Sequence, residues 1–150
     1  MSKWLRSAVK DGDLVRTENL LEDNSLHETD EHGNTYLHLA IEGAGRRKRS
    51  QYVCCLLIRE GASVNAINMQ GETPLHLAGK WGLLKVSKLL VEKGAVKGVK
   101  DSQGRTPFDV AVQNCHSKTA QVLMDGLPLY LEAQEALEAQ EVASYSTTLK

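Results

Sequence analysis

One eight-residue stretch recurs in phase along this chain, and it restricts the possible folds more than any other feature. Gly71-Glu72-Thr73-Pro74-Leu75-His76-Leu77-Ala78 is preceded by Gly33-Asn34-Thr35-Tyr36-Leu37-His38-Leu39-Ala40. It is followed by Gly104-Arg105-Thr106-Pro107-Phe108-Asp109-Val110-Ala111. Each copy reads as a turn that opens a short helix. The leading glycine can take the positive φ of a tight turn. The threonine hydroxyl can accept from a free backbone N–H at the helix start. Proline suits the first helical position, where no N–H is needed. A second landmark, Gly61-Ala62 and Gly94-Ala95, repeats at the same offset as the last two copies, while the first two copies lie slightly further apart.

A period of roughly 33 residues on a Thr-Pro-Leu-His-x-Ala core marks ankyrin repeats. The chain resembles that family over roughly residues 4–126. The resemblance implies an all-α solenoid of helix-turn-helix units with short β-hairpin or turn tips. Repeats are expected at about 4–29, 30–67, 68–100 and 101–126, making one array over 1–126. The first unit is degenerate: Trp4-Leu5-Arg6 stands where the core motif is expected, while Ala8 aligns with Ala78 and Gly12 with Gly82. End repeats depart from consensus because one face meets water. In the last unit Asp109 replaces the histidine and Cys115 the turn glycine.

The wider first spacing is carried by a long connection in the second unit. The interval from Ala40 to Leu56 exceeds the equivalent interval from Ala78 to Leu89 by five positions. Helix A is expected from Thr35 to about Glu42, followed by a loop, Gly43 to Gln51, that carries the five extra residues. Loops absorb insertions at low free-energy cost. After Gly126-Leu127-Pro128, residues 127–150 change character. Leu129 to Val142 is rich in helix-forming Glu, Ala, Gln and Leu, with Tyr130, Ala133 and Leu137 on one face and Glu132, Glu135, Glu138 and Glu141 forming an acidic stripe. This reads as a C-terminal capping helix or a partner-meeting helix, followed by a loose tail.

Composition narrows the function classes. A formal charge of −1 provides no global field for nucleic acid or an acidic membrane. Three cysteines, two of them adjacent, make a poor disulfide framework and fit a reducing compartment. There is no apolar run long enough to span a bilayer, and Met1-Ser2-Lys3-Trp4-Leu5-Arg6 lacks the apolar core of a signal peptide. The expected location is cytoplasm, with the nucleus as an alternative, and the chain alone is expected to be monomeric.

Candidate chemistry is sparse. His38 and His76, one repeat apart, read either as metal ligands or as structural groups. The resemblance favours the second, with the imidazole bonded to the threonine hydroxyl and the turn backbone. Cys54 and Cys55 lie in an apolar run, where a buried thiol stays protonated. No nucleophile–base set or phosphate-binding loop is evident, so the chain is expected to be non-catalytic and to need no cofactor. Arg46-Arg47-Lys48-Arg49 is the sharpest charge feature. It reads as a solvated loop, an import or nucleic-acid patch, or an acidic-partner patch. Arg47-Lys48-Arg49-Ser50 resembles a basophilic kinase site, so Ser50 is a candidate for modification. Four basic residues are too few to make general DNA binding the main function.

The resemblance implies protein binding along the tips and the adjoining helix-A face. The tip candidates are Glu31, His32 and Asn34; Met69, Gln70 and Glu72; and Ser102, Gln103 and Arg105. Beside them stand Glu42, Lys80, Trp81, Gln113 and Asn114. Trp81 is expected to be an exposed anchor, or else to fold against the inter-helix connection. Asn65 matches a family hairpin asparagine whose side chain bonds across the turn and which is sometimes hydroxylated. The second unit is also similar to the first repeats of IκB-type inhibitors of Rel transcription factors, so a Rel-homology domain is a candidate partner. Pathogen effectors that use small ankyrin arrays, and a regulatory subunit that positions an enzyme, are further readings.

Overall fold

The computed structural model describes residues 1–21, 26–47 and 51–124. Among them are eight helices in four consecutive pairs: α1 Lys3–Asp11 and α2 Leu14–Leu21, α3 Tyr36–Arg47 and α4 Tyr52–Arg59, α5 Pro74–Trp81 and α6 Leu84–Glu92, α7 Pro107–Gln113 and α8 Ser117–Leu123. The first helices of the pairs stack in one layer, α1 on α3 on α5 on α7. The second helices form the other layer, α2 on α4 on α6 on α8. An isolated antiparallel bridge, Thr29 with Thr35, is the β structure among the described residues. The expected all-α solenoid with turn tips is the fold observed, and no described helix is long and apolar enough to cross a membrane.

Helices of seven to twelve residues are too short to persist alone. Caps and packing hold them. Thr73, at φ −90° and ψ 165°, accepts from the His76 amide, while the His76 side chain accepts from the Thr73 amide. Thr106 and Asp109 repeat that reciprocal box on α7. At the far end of α5, Gly82 takes φ 65° and donates to Ala78 and Gly79. Gly12 closes α1 the same way. In the last pair the equivalent position is Cys115, which is held at φ 62°. A side chain there costs roughly 1–2 kcal/mol. Between the layers Leu5, Val9, Leu37, Ile41, Val53, Leu57, Leu75, Val86, Leu90 and Leu123 form a continuous buried core.

The long connection of the second pair corrects the sequence expectation. Helix α3 does not end near Glu42. It continues one further turn to Arg47. Gly43-Ala44-Gly45 suggests a loop, but both glycines are helical contact points. A Cβ on Gly43 would lie 2.6 Å from the Lys10 carbonyl oxygen, and one on Gly45 would meet the Trp81 ring. The glycines let α3 lie close to α1 on one side and to a large aromatic on the other. The expected capping helix, with the stop at 126–128, falls outside the described residues. Helix α8 closes at Leu123, and Met124 is extended.

Three substitutions test this packing. Gly43→Ala should lower unfolding free energy by about 1–3 kcal/mol, because a backbone carbonyl cannot move aside cheaply. Lys88→Ala, on the exposed side of α6, should stay within about 0.5 kcal/mol of the native chain. Cys115→Gly should raise stability by up to about 1 kcal/mol by removing a left-handed side-chain clash. Urea unfolding of the three variants measures all of these effects.

Candidate functional site

The three tips are copies of one hydrogen-bonded turn. In each, a carboxylate or amide oxygen accepts two backbone N–H groups. Asp30 Oδ1 takes those of His32 and Asn34, both at 2.9 Å. Asn68 Oδ1 takes those of Gln70 and Glu72, at 3.0 and 2.9 Å. Asp101 Oδ1 takes those of Gln103 and Arg105, both at 2.9 Å. Neighbouring tips are joined through the backbone: the Met69 amide donates to the His32 carbonyl at 3.0 Å, and the Ser102 amide to Gln70 at 2.9 Å. Burial pushes the Asp30 and Asp101 carboxyls up, but the amides they accept from, with Arg6 and Arg105 respectively, hold both below the ordinary carboxylate value. Sequence reading did not single out these three residues. Their signal is an Asp/Asn-x-x-Gly-x-Thr pattern in phase with the repeat.

Behind the tips, the two histidines tie each repeat to the next. His38 Nδ1 accepts from the Thr35 amide at 3.2 Å and the Thr35 hydroxyl at 2.9 Å. Its Nε2 lies 2.9 Å from the Glu72 carbonyl oxygen. A carbonyl only accepts, so Nε2 carries the proton and Nδ1 is bare. His76 repeats the arrangement with Thr73 and reaches Arg105 O at 2.8 Å. Both nitrogens of each ring are thus committed, which leaves none for the metal alternative. Burial holds the His38 imidazole below its ordinary value. Asp109 keeps the local half of the device, accepting from Thr106 N at 2.9 Å, but it stands exposed.

Most candidate residues stand on the tip row or in a groove beside it, Gln70 on both. Glu31, His32, Met69, Gln70, Ser102 and Gln103 stand exposed along the tip row, with Met69 72% exposed. Asn34, Glu42, Gln70, Glu72 and Lys80 line an open groove of about 360 Å³ together with Lys10, Arg46, Leu39 and Leu77. Arg105 is braced by Asp101 and donates to Gln113 at 3.1 Å. Asn114 turns back on its own helix, donating to Val110 O at 2.8 Å.

The structure takes the second of the two alternatives for Trp81, moves Arg46 from loop to helix and carries the Asn65 bonds into the next repeat. Trp81 is not an exposed anchor but half-buried, with its ring against Gly45, its Nε1–H donating to Glu42 Oε2 at 3.1 Å and the Lys80 ammonium 5.1 Å from the ring. Arg46 belongs to a helix and not to a loop, and its Nε pairs with Glu42 Oε1 at 2.9 Å. The side chain of Arg47, and residues Lys48, Arg49 and Ser50, lie outside the description. Asn65 bonds across repeats: its Nδ2 donates to Gly94 O at 3.3 Å, and its Oδ1 accepts from Val96 N at 2.8 Å. Burial pushes the Cys54 thiol up to about 12, which keeps it protonated.

A stack of capped helix pairs that fixes a row of turns beside a groove is a repeat scaffold, not an enclosed reaction site. The chain belongs to the ankyrin-repeat family: residues 44–131 match ankyrin repeats in three copies. It is 36% identical to Rabankyrin-5 of Mus musculus over 102 residues, which is 60% of this chain and 8% of that protein. It is 40% identical to the ARF GTPase-activating protein GIT2 of Mus musculus over 73 residues, 48% of this chain and 10% of that one. It is 32% identical to the NF-kappa-B inhibitor cactus of Drosophila yakuba over 99 residues, 65% of this chain and 20% of that one. The chain therefore spans a tenth or less of the first two relatives and a fifth of the third. Ankyrin repeats mediate protein–protein interaction and are generally non-catalytic.

The His38 network gives a signed pH effect. A folded imidazole held below its ordinary value contributes stability that is present above the unfolded value, about 6.5, and is lost as pH falls through the lower folded value. Denaturation at about pH 7.5 and about pH 5.5 should show the native chain weakening on acidification. His38→Gln should be less stable at the higher pH and flatter between the two. An equal slope in both proteins would show that another group carries the effect.

Proposed function

We propose that this chain is a non-catalytic binding module that engages a partner protein through its tip row and helix-A face. One observation carries this reading. The tips are locked to one another by side-chain and backbone hydrogen bonds, yet Met69, Gln70, Ser102 and Gln103 are left facing solvent. A surface already ordered loses little entropy on binding. A large apolar side chain such as Met69, held out on a rigid turn, suits an interface anchor. Two buried groups make catalysis a poor reading: both ring nitrogens of His38 and of His76 are spent on the fold, and Cys54 is a buried thiol.

A narrower reading is an inhibitor of a Rel-type transcription factor. It is favoured by the similarity to a relative named as an NF-kappa-B inhibitor. It places the chain in cytoplasm or nucleus and makes a Rel-homology domain the partner.

A photo-crosslinking amino acid placed at Met69, and separately at Lys88 on α6, tests the broad reading in lysate. Discrete adducts from position 69 and none from position 88 are expected. Adducts from position 88 alone, or from neither, would sink it. Met69→Ala should weaken the captured interaction by about tenfold, the loss of one anchor side chain. Calorimetric titration with a purified Rel-homology domain decides the narrower reading. Binding at about micromolar Kd supports it, and no heat at about 100 µM removes it.

A further inference from the structure

We infer that the groove between α1, α3 and α5 is a subsite for an acidic side chain of a partner peptide, received by Lys10, Lys80 and Arg46. This rests on the protein-binding reading above and gives the partner a chemistry.

Lys10, Glu42 and Lys80 occupy the same position of three consecutive repeats, so they follow one another across the groove. The groove's own carboxylates are already engaged. Glu42 Oε1 holds Arg46 Nε at 2.9 Å and faces Lys80 Nζ at 3.9 Å, while its Oε2 accepts the Trp81 indole at 3.1 Å. Glu72 Oε1 accepts from Asn68 Nδ2 at 3.1 Å. The cations are not used up. Arg46 spends its Nε on Glu42 and is 67% exposed. Lys80 is 40% exposed and makes one long pair. Lys10 is exposed and has no ion pair among the described residues. Three cations thus face two carboxylates, each already bonded within the protein. The surplus is donor capacity directed at an incoming anion.

Arg46 stands beyond the position at which α1, α5 and α7 end. It reaches the groove because α3 runs on to Arg47, lying close to Lys10 at Gly43 and to Trp81 at Gly45. The buried Leu39 and Leu77 give the groove an apolar floor for an aliphatic stem. The matching ligand is a peptide in which acidic and aliphatic side chains alternate.

Fluorescence anisotropy with a labelled peptide of alternating Glu and Leu tests the assignment, with Gln–Leu and Lys–Leu peptides as controls. The proteins are the full chain, Lys10→Gln/Lys80→Gln and Arg46→Gln, each shown to be folded by circular dichroism. The Glu–Leu peptide should bind the native chain, weaken with added salt and lose roughly three- to tenfold affinity in the double variant, the size of two exposed charge pairs. Arg46→Gln should lose about half of that on the logarithmic scale. Equal affinity for native and variants, or equal binding of the Lys–Leu peptide, overturns the assignment. A fourth protein replaces Glu132, Glu135, Glu138 and Glu141 by Gln. If only this variant binds the peptide, the chain's own acidic segment is the occupant and the partner assignment falls. If position 69 still cross-links a partner while Lys10 and Lys80 prove indifferent, the binding reading stands and the acidic subsite does not. If neither responds, both fall.

Discussion

The imidazole Nε2–H that His38 donates to the Glu72 carbonyl, and that His76 donates to Arg105, is the contact on which the rest of the stack depends. Each ring works in two directions. Through Nδ1 it completes the N-terminal cap of its own helix, and through Nε2 it fixes the tip of the next repeat. Both rings are about 1% exposed, so the loss of either partner would leave a buried polar atom unpaired, a cost of about 1–3 kcal/mol. The relay stops at Asp109, whose shorter side chain closes the cap and reaches no further. Local helix initiation and long-range tip geometry are therefore one interaction, and the order of the exposed tip row is inherited from buried chemistry.

The second departure from a regular array is the lengthened α3. An insertion of five residues would usually be looped out at small entropic cost. Here α3 continues to Arg47, and Gly43 and Gly45 lie where it meets its neighbours. Gly43 admits the end of α1, and Gly45 accepts the face of Trp81. The extra turn carries Arg46 to Glu42, and Glu42 becomes the point where Arg46, Lys80 and Trp81 converge. Steric permission and electrostatics act together. The Arg46–Glu42 pair forms within α3, whereas the Trp81 and Lys80 contacts to Glu42 cross from α5, where Gly45 leaves room for the Trp81 ring.

Family membership defines the scaffold and leaves the surface to the individual chain. The relatives are far longer proteins with different names, and each matches this chain over a small part of its own length. The surface this chain presents holds the Met69 tip, the Lys10–Glu42–Lys80 row and the arginine carried by α3. All are side chains outside the His–Thr relay, free to vary because the relay and the core already hold the backbone.

Much of the architecture is legible in the chain itself. The in-phase Gly-x-Thr-Pro-Leu-His-x-Ala motif specifies turns, caps and helix starts, because capping and left-handed turns are decided by residues three or four apart. The period specifies the stack, because apolar faces that recur once per repeat have only each other to pack against. Asp30, Asn68 and Asp101 carry a pattern that is visible yet hard to single out, since an acidic or amide residue before a turn has many other uses. The remaining features cannot be reached that way. Gly43-Ala44-Gly45 is helical, the choice between an exposed and a folded Trp81 is settled by room at Gly45, and Asn65 bonds to Gly94 and Val96 of the next repeat. Each of these outcomes depends on what stands opposite in the neighbouring repeat. The sequence by itself determined the repeat and its local hydrogen bonds. Only the tertiary structure decided which side chains the stack consumed and which it left facing the solvent, because that depends on close distances between residues a whole repeat apart in the chain.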